Sequence, residues 1–259
     1  MRHVQVRHDP RDVVWLTLDR PEVGNAFNAE LIAELAEVTT RLQVRPPRAV
    51  VLAGNGRSFS AGADLEWMRS MRDHSREDNL ADARITSAMY STLESLPCAV
   101  VCRVHGHAVG GGVGLVAVCD VVVAERTAVF GFPEVRLGIA PAVISPFVVR
   151  KIGQSSARAL FVTGERFPAE EAHRVGLVHK VVDGDDLDDA VEAVVADVLA
   201  AGPAAVTVAK RLPEIASAPL DEATETTAGI IAELRVSAEG QEGMAAFLEK
   251  RSPRWAAPE

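Results

Sequence analysis

The stretch Ala99-Val100-Val101-Cys102-Arg103-Val104-His105-Gly106-His107-Ala108-Val109-Gly110-Gly111-Gly112-Val113-Gly114-Leu115-Val116 carries the most structural information in the chain. Its first six residues form a β-branched, apolar run with the length and composition of a buried strand. The loop that follows ends in three consecutive glycines, and Val113 onward reads as a helix. Glycine permits positive φ and lets a ligand approach the main chain directly, while a helix start presents unpaired N–H groups and a partial positive charge. A strand running through glycines into a helix therefore either packs tightly or binds something.

Earlier in the chain the same design occurs. Ala49–Ala53 reads as a buried strand, the loop Gly54-Asn55-Gly56-Arg57-Ser58 follows, and Phe59-Ser60-Ala61-Gly62-Ala63-Asp64-Leu65 opens a second helix. Two N–H groups from such turns, brought to one point, would make an oxyanion hole for charge developing on a carbonyl oxygen. Tight packing alone is the competing reading of either turn.

Around these turns, strands are expected at Val4–Val6 and Val13–Leu18, joined by the turn Asp9-Pro10-Arg11-Asp12, and at Val121–Ala124 and Leu177–Val182. Asn28 is a candidate N-cap for a helix to about Leu42, and Leu80 to Leu96 is a helix stopped by Pro97. Strands alternating with helices indicate an α/β core with partly parallel pairing. Past Pro141 the pattern is almost all helix. Residues 1–195 are expected to form the core and 196–259 a helical C-terminal region.

The 259 residues carry 27 Lys plus Arg against 36 Asp plus Glu, a net charge of −9, which argues against a nucleic-acid partner needing a basic footprint. Cys98, Cys102 and Cys119 are too few for a disulfide framework and lie in apolar runs, so buried thiols are expected. With no apolar signal core at the start and no run of about 18 apolar residues, neither export nor membrane insertion is expected, and the cytoplasm is the expected location.

Gly112-Val113-Gly114-Leu115-Val116-Ala117 matches the dinucleotide pattern GxGxxA, but no acidic residue ends the next strand at the required distance. Ser60 and Ser145 lack the GxSxG elbow, and His105 and His107 lack a third ligand, so no metal is expected. Asp64 and Asp120 read as residues that cap or brace their turns. Glu134 has two readings: a solvated glutamate in a turn, as a lone Glu usually is, or a general acid or base. It follows the apolar turn Phe130-Gly131-Phe132-Pro133, whose desolvation would raise its pKa toward the range of a general acid or base.

Taken together, several motifs make the sequence resemble the crotonase family, the enoyl-CoA hydratases and isomerases. They are Asp19-Arg20-Pro21-Glu22 with Asn25-Ala26-Phe27-Asn28, the 59–65 turn, Gly106 with Gly110-Gly111-Gly112, and Cys119-Asp120. Further along come Phe130 to Gly138, Phe161 to Phe167, Ala172 to Val178, and Phe247-Leu248-Glu249-Lys250-Arg251-Ser252-Pro253. The resemblance implies a spiral core of ββα turns with a helical C-terminal trimerisation region, and a homotrimer or dimer of trimers. It implies an acyl-CoA thioester as substrate, coenzyme A entering as part of that substrate with no permanently bound cofactor. The oxyanion donors it implies are the N–H groups of Ala63 and Gly111, and the catalytic acid is Glu134. For CoA it implies the loop Arg20–Ala26, including Asn25, together with Ala61, Asp64 and Leu65; Phe247 and Lys250 would reach CoA in a neighbouring subunit.

One departure bears on the chemistry. The best-known hydratases of the family carry a second glutamate, and the matching slot here is Gly114. Two carboxylates can hold an attacking water between them; one can shuttle a proton between Cα and Cγ. Hydration of a 2-enoyl-CoA is the expected reaction, with Δ3,Δ2-isomerisation or catalytically silent CoA binding as alternatives. Gly110–Leu115, Glu134–Gly138 and Pro141–Pro146 are also similar to a bacterial subgroup of methylglutaconyl-CoA hydratase-like members. Such a substrate would bring a carboxylate for Arg136 or another cation to pair with.

Overall fold

The computed structural model describes residues 1–256; the last three residues of the expected C-terminal region, 257–259, lie outside the described residues. Nine strands form two sheets. The larger holds β1 (Val4–Asp9), β2 (Val13–Leu18), β3 (Ala49–Gly54), β4 (Ala99–Val104), β6 (Val121–Glu125) and β9 (Lys180–Val182), side by side in that order. Only β1 and β2 pair antiparallel, as a hairpin; every later pairing in this sheet is parallel. The smaller sheet has the order β5 (His107–Val109), β7 (Val129–Gly131), β8 (Arg166–Pro168).

The central strands are apolar on both sides because both faces of the large sheet are covered. Side chains alternate across a strand. Val13, Ala49, Val51, Val101 and Val123 therefore face α7 (Leu187–Ala200), meeting its Val191, Val194 and Val195. Val14, Val50, Leu52, Val100, Cys102 and Val122 point the other way, into the main core. That core also takes residues from α1 (Ala29–Val44), α3 (Arg76–Glu94), α4 (Gly111–Ala117) and α5 (Ser145–Thr163). All three cysteines are buried free thiols, and burial pushes the Cys98 thiol up to about 12.

Two short helices, α2 (Leu65–Ser70) and α6 (Ala169–Arg174), complete the core, and three longer ones end the described chain: α8 (Pro203–Ile215), α9 (Leu220–Val236) and α10 (Ala238–Leu248). Residue 195, the expected boundary, falls inside α7, whose packing on the sheet continues to Leu199. The last helices leave apolar side chains uncovered, Leu220, Val236, Phe247 and Leu248 each being at least three-quarters exposed. Among the described residues no single helix is long and apolar enough to cross a membrane.

Candidate active site

The small sheet sets the geometry. β5 and β7 run parallel, with His107 opposite Val129 and Val109 opposite Gly131, so both chains leave the sheet at the same end. Beyond β5 come Gly110 and the start of α4; beyond β7 come Phe132, Pro133 and Glu134, the last two opening a 3-10 turn over Pro133–Leu137. The N–H of Gly110 donates to the Gly131 carbonyl at 2.9 Å and ties the two exits together. Ligand sites in such folds form beyond the carboxyl ends of parallel strands.

Gly110 turns the chain into α4 with φ of +51°, and a Cβ there would stand 3.1 Å from Oε1 of Glu134. The helix start and the carboxyl group are therefore in close contact. The 59–65 turn is attached by a parallel bridge between Ser60 and Ala108, in which Ser60 N–H donates to the His107 carbonyl and Val109 N–H to the Ser60 carbonyl.

A second parallel bridge joins Phe27 and Ala63. In it the Phe27 N–H donates to the Gly62 carbonyl at 2.7 Å, and the Asp64 N–H donates to the Phe27 carbonyl at 2.9 Å. Main-chain groups alternate in direction along an extended segment, so the Ala63 N–H points to the other side. Among the described residues neither the Ala63 N–H nor the Gly111 N–H donates to any protein group. Gly111 is the first residue of α4, where N–H groups have no intrahelical partner.

Ala63, Gly111 and Glu134 line one cavity of about 190 Å³. Glu134 is half-buried, and its Oε2 is shielded from solvent without a hydrogen-bond partner. Burial pushes its carboxyl above the ordinary carboxylate range, and its own N–H pulls it only partway back. Fully buried Phe130 and Phe132 supply the apolar setting, Phe132 meeting Phe161 edge to face at 4.9 Å between centroids.

Of the other residues that line it, Trp67 and Thr86 fall in the stretches Trp67–Met71 and Leu80–Met89, which position in the sequence marks as candidates for the acyl pocket; sequence reasoning did not single out Tyr90. Tyr90 and Thr86, one helical turn apart on α3, border the cavity on one side, and Trp67 of α2 borders it on another. The Tyr90 hydroxyl donates to the Gly111 carbonyl at 2.7 Å, while the Thr86 hydroxyl donates to the Asp82 carbonyl at 2.9 Å. Tyr90 is fully buried, and its ring lies 6.4 Å from Phe27 and 5.6 Å from Phe147 between centroids. Helical spacing alone reads such a tyrosine as core; a carbonyl acceptor on the glycine turn is visible only in three dimensions.

Of the residues expected at CoA, Arg20, Asn25 and Ala26 turn inward. Arg20 donates to the Ala26 carbonyl and, at 2.8 Å, to Asp64; its Nε is buried without a partner. Asn25 has φ of +56° and is fully buried, its amide group bonding the Arg20 N–H and the Asn55 and Ser58 carbonyls. The side chains of Arg20 and Asn25 brace the loop against the main chain and Asp64, the Arg20 Nε alone being left without a partner.

Asp64 caps α2 by accepting from the Glu66 and Trp67 N–H groups and pairs with Arg20. Burial pushes its carboxyl up, but the Arg20 and main-chain hydrogen bonds outweigh that and hold it below the ordinary range. Ala61 and Leu65 are exposed on the rim, and the Ala61 N–H is taken by the Gly24 carbonyl. Phe247 and Lys250 stand exposed at the end of α10 and do not line the cavity.

Arg136 does not line the cavity either: it is exposed, and its Cγ lies 3.4 Å from where a Cβ on Gly164 would stand. The 3-10 turn rotates it away from Glu134. The expected pairing of Arg136 with a carboxylate inside the cavity is therefore not available in this geometry. His105 accepts at Nδ1 from the Arg103 guanidinium and donates from Nε2 to the Gly56 carbonyl, and among the described residues no cluster of His, Cys, Asp and Glu is disposed to hold a metal.

The described geometry matches known proteins along its whole length. Residues 9–258 match the sequence model of the enoyl-CoA hydratase/isomerase family. A crotonyl-CoA hydratase of Syntrophomonas wolfei is 32% identical over 240 residues, covering 91% of each chain. The crystal structure of an enoyl-CoA hydratase from Shewanella pealeana superposes with a TM-score of 0.93 at 37% identity, over 98% of this chain and 96% of that one. An enoyl-CoA hydratase structure from Mycobacterium smegmatis gives 0.93 at 35% identity, over 99% and 100%.

Proposed function

The chain belongs to the enoyl-CoA hydratase/isomerase family, and from that premise we propose that it adds water across the double bond of a 2-enoyl-CoA thioester. One observation supports this reading above the others. Two uncommitted N–H groups, Ala63 and Gly111, and one desolvated carboxylate, Glu134, border the same cavity.

The thioester carbonyl oxygen would accept from both N–H groups, which stabilise the enolate as it forms. Removing one such donor typically costs about 3–4 kcal/mol of barrier, so the main-chain pair carries a large share of the rate. Glu134, ionised, takes a proton from water as the oxygen bonds to C3 and the C2–C3 electron pair moves into the enolate. The same carboxyl then returns that proton to C2 as the thioester carbonyl re-forms. Overall, one water is consumed and its hydroxyl and proton end on C3 and C2. With glycine at 114, the water needs a second holder, and Thr86, which lines the same cavity, is the residue we assign to it.

Coenzyme A enters as part of the substrate, and no resident cofactor is required by these steps. The uncovered apolar residues of α9 and α10 support assembly as a trimer or dimer of trimers, in which Phe247 and Lys250 would meet the CoA of a neighbouring subunit. A single carboxylate also fits Δ3,Δ2-isomerisation, the second reading, favoured by glycine at 114.

Mass spectrometry of products from crotonyl-CoA and a 3-enoyl-CoA separates the two. A gain of one water from crotonyl-CoA, lost in Glu134→Gln, is the expected result. A 2-enoyl product of unchanged mass from the 3-enoyl substrate, with no hydration, would replace hydration by isomerisation.

A further inference from the structure

We infer that the acyl subsite selects an uncharged acyl group and rejects one that ends in a carboxylate. This rests on the hydratase reading for which end of the substrate enters the cavity. Its walls are mostly carbon: Phe27, Trp67, Pro141 and Val143 contribute apolar or neutral surface. No Lys, Arg or His side chain is among the described residues that line it.

The polar groups present would also oppose a second negative charge. Thr86 and Tyr90 each have a single hydroxyl hydrogen, and both are already directed to main-chain carbonyls, Asp82 and Gly111. Neither hydroxyl hydrogen is left to donate to a ligand. The Tyr90 phenol stays neutral, since burial first and the Glu134 charge second push it far above the ordinary tyrosine range. The third polar group is Glu134 itself, a carboxylate during the proton abstraction. Arg136, the cation nearest to it in sequence, packs over Gly164 outside the cavity.

A carboxylate-bearing tail would thus leave water for a space with a mostly apolar wall, no cationic side chain among its described lining residues, and another carboxylate. A buried charge without a partner is strongly unfavourable, and two close carboxylates cannot both ionise freely. The Ala63 and Gly111 N–H groups do not offset this, because they are engaged by the thioester oxygen. A hydrocarbon tail meets none of these penalties.

The test uses a matched pair: glutaconyl-CoA, and 5-methylhex-2-enoyl-CoA, in which two methyl groups replace the two carboxylate oxygens. The expected kcat/KM for hydration is at least about a hundredfold higher for the neutral member, as befits an unpaired buried charge. Equal or faster hydration of glutaconyl-CoA would overturn the inference.

Calorimetric binding of the saturated pair, glutaryl-CoA and 5-methylhexanoyl-CoA, reads the subsite without chemistry. Tighter binding of the neutral member by about tenfold or more supports the inference even if no enoyl-CoA is hydrated, an outcome that removes only the hydratase reading. Equal or tighter binding of glutaryl-CoA overturns it, whatever the enzyme does to crotonyl-CoA.

Discussion

A Cβ on Gly114 would stand 2.8 Å from Cζ and 2.9 Å from Oη of Tyr90, and 2.5 Å from Cγ2 of Ile144. The slot in which a second acid is expected is therefore filled by a phenol rooted on α3. Tyr90 is itself fixed by Phe27, Phe147 and the Gly111 carbonyl, so it has little room to retreat. Gly114→Glu is expected to lower stability by about 1–3 kcal/mol through overpacking and to lower hydration too. Urea unfolding and crotonyl-CoA kinetics check this; a variant as stable and faster than the parent would show that the phenol yields.

Glu134→Gln should cut hydration between about a hundredfold and ten-thousandfold, the usual reach of a positioned acid–base group. It should also stabilise the chain. A carboxyl whose pKa is raised by folding favours the folded state when protonated and opposes it when ionised. The stabilisation by glutamine, about 1 kcal/mol for relief of an unpartnered buried oxygen, should emerge as pH rises through the raised pKa and vanish in acid. Thermal melts at pH 4 and pH 8 read the difference. Wild-type activity should fall as pH drops through the same raised pKa, since the ionised form takes the water proton.

Thr86→Val removes one holder of the attacking water and leaves Glu134 and both main-chain donors in place. Hydration should fall by about tenfold, the equivalent of one lost hydrogen bond. Exchange of the α-protons of butyryl-CoA in deuterium oxide needs no water at C3 and should stay near the wild-type rate. Equal loss of both activities would assign Thr86 a structural part only.

Asp64→Asn breaks the ion pair with Arg20 and weakens the cap of α2 while leaving the guanidinium buried. Loss of one partner from a buried pair costs about 3 kcal/mol or more. Asp64 is held below the ordinary range in the folded chain, so its stabilisation is full above the unfolded value of 3.8 and is lost as pH falls through the folded one. Chemical unfolding at pH 7 and pH 3 should therefore show a large difference between wild type and variant at the first and a smaller one at the second.

Much of this architecture can be read from local pattern. The runs Val13–Leu18 and Ala99–Val104 are strands as expected, because β-branched segments buried on both faces leave a continuous apolar signature. Asn28 caps α1 through the Leu31 N–H, the standard use of a short polar side chain before a helix. The smaller sheet is not legible in this way. β5, β7 and β8 are three residues each, too short for a period of two to register, and β5 lies inside a segment that reads as loop.

The site divides likewise. The glycine turns and the apolar approach to Glu134 are visible in the sequence, but it is the family resemblance that picks out Ala63, Gly111 and Glu134, and the structure brings the three to one cavity. Tyr90 and Thr86 carry no such signature. Their hydroxyls matter because of what a distant turn places beside them, and Arg20 and Asn25 look free in sequence for the same reason that they prove enclosed.

The N–H groups of Ala63 and Gly111 owe their direction to partners remote in the chain. Ala63 is aligned by its bridge to Phe27; Gly111 is aligned by Tyr90 and by the Gly110 bond to Gly131. Neither strand–turn–helix unit can hold its N–H in place alone. A partly folded chain could have most of its helix content and still have nowhere to polarise a thioester. On the proposed mechanism, competence requires the segment around residue 131 and the helix bearing Tyr90 to be closed on the glycine turn, so activity gauges a tertiary completion that spectroscopic helix content does not.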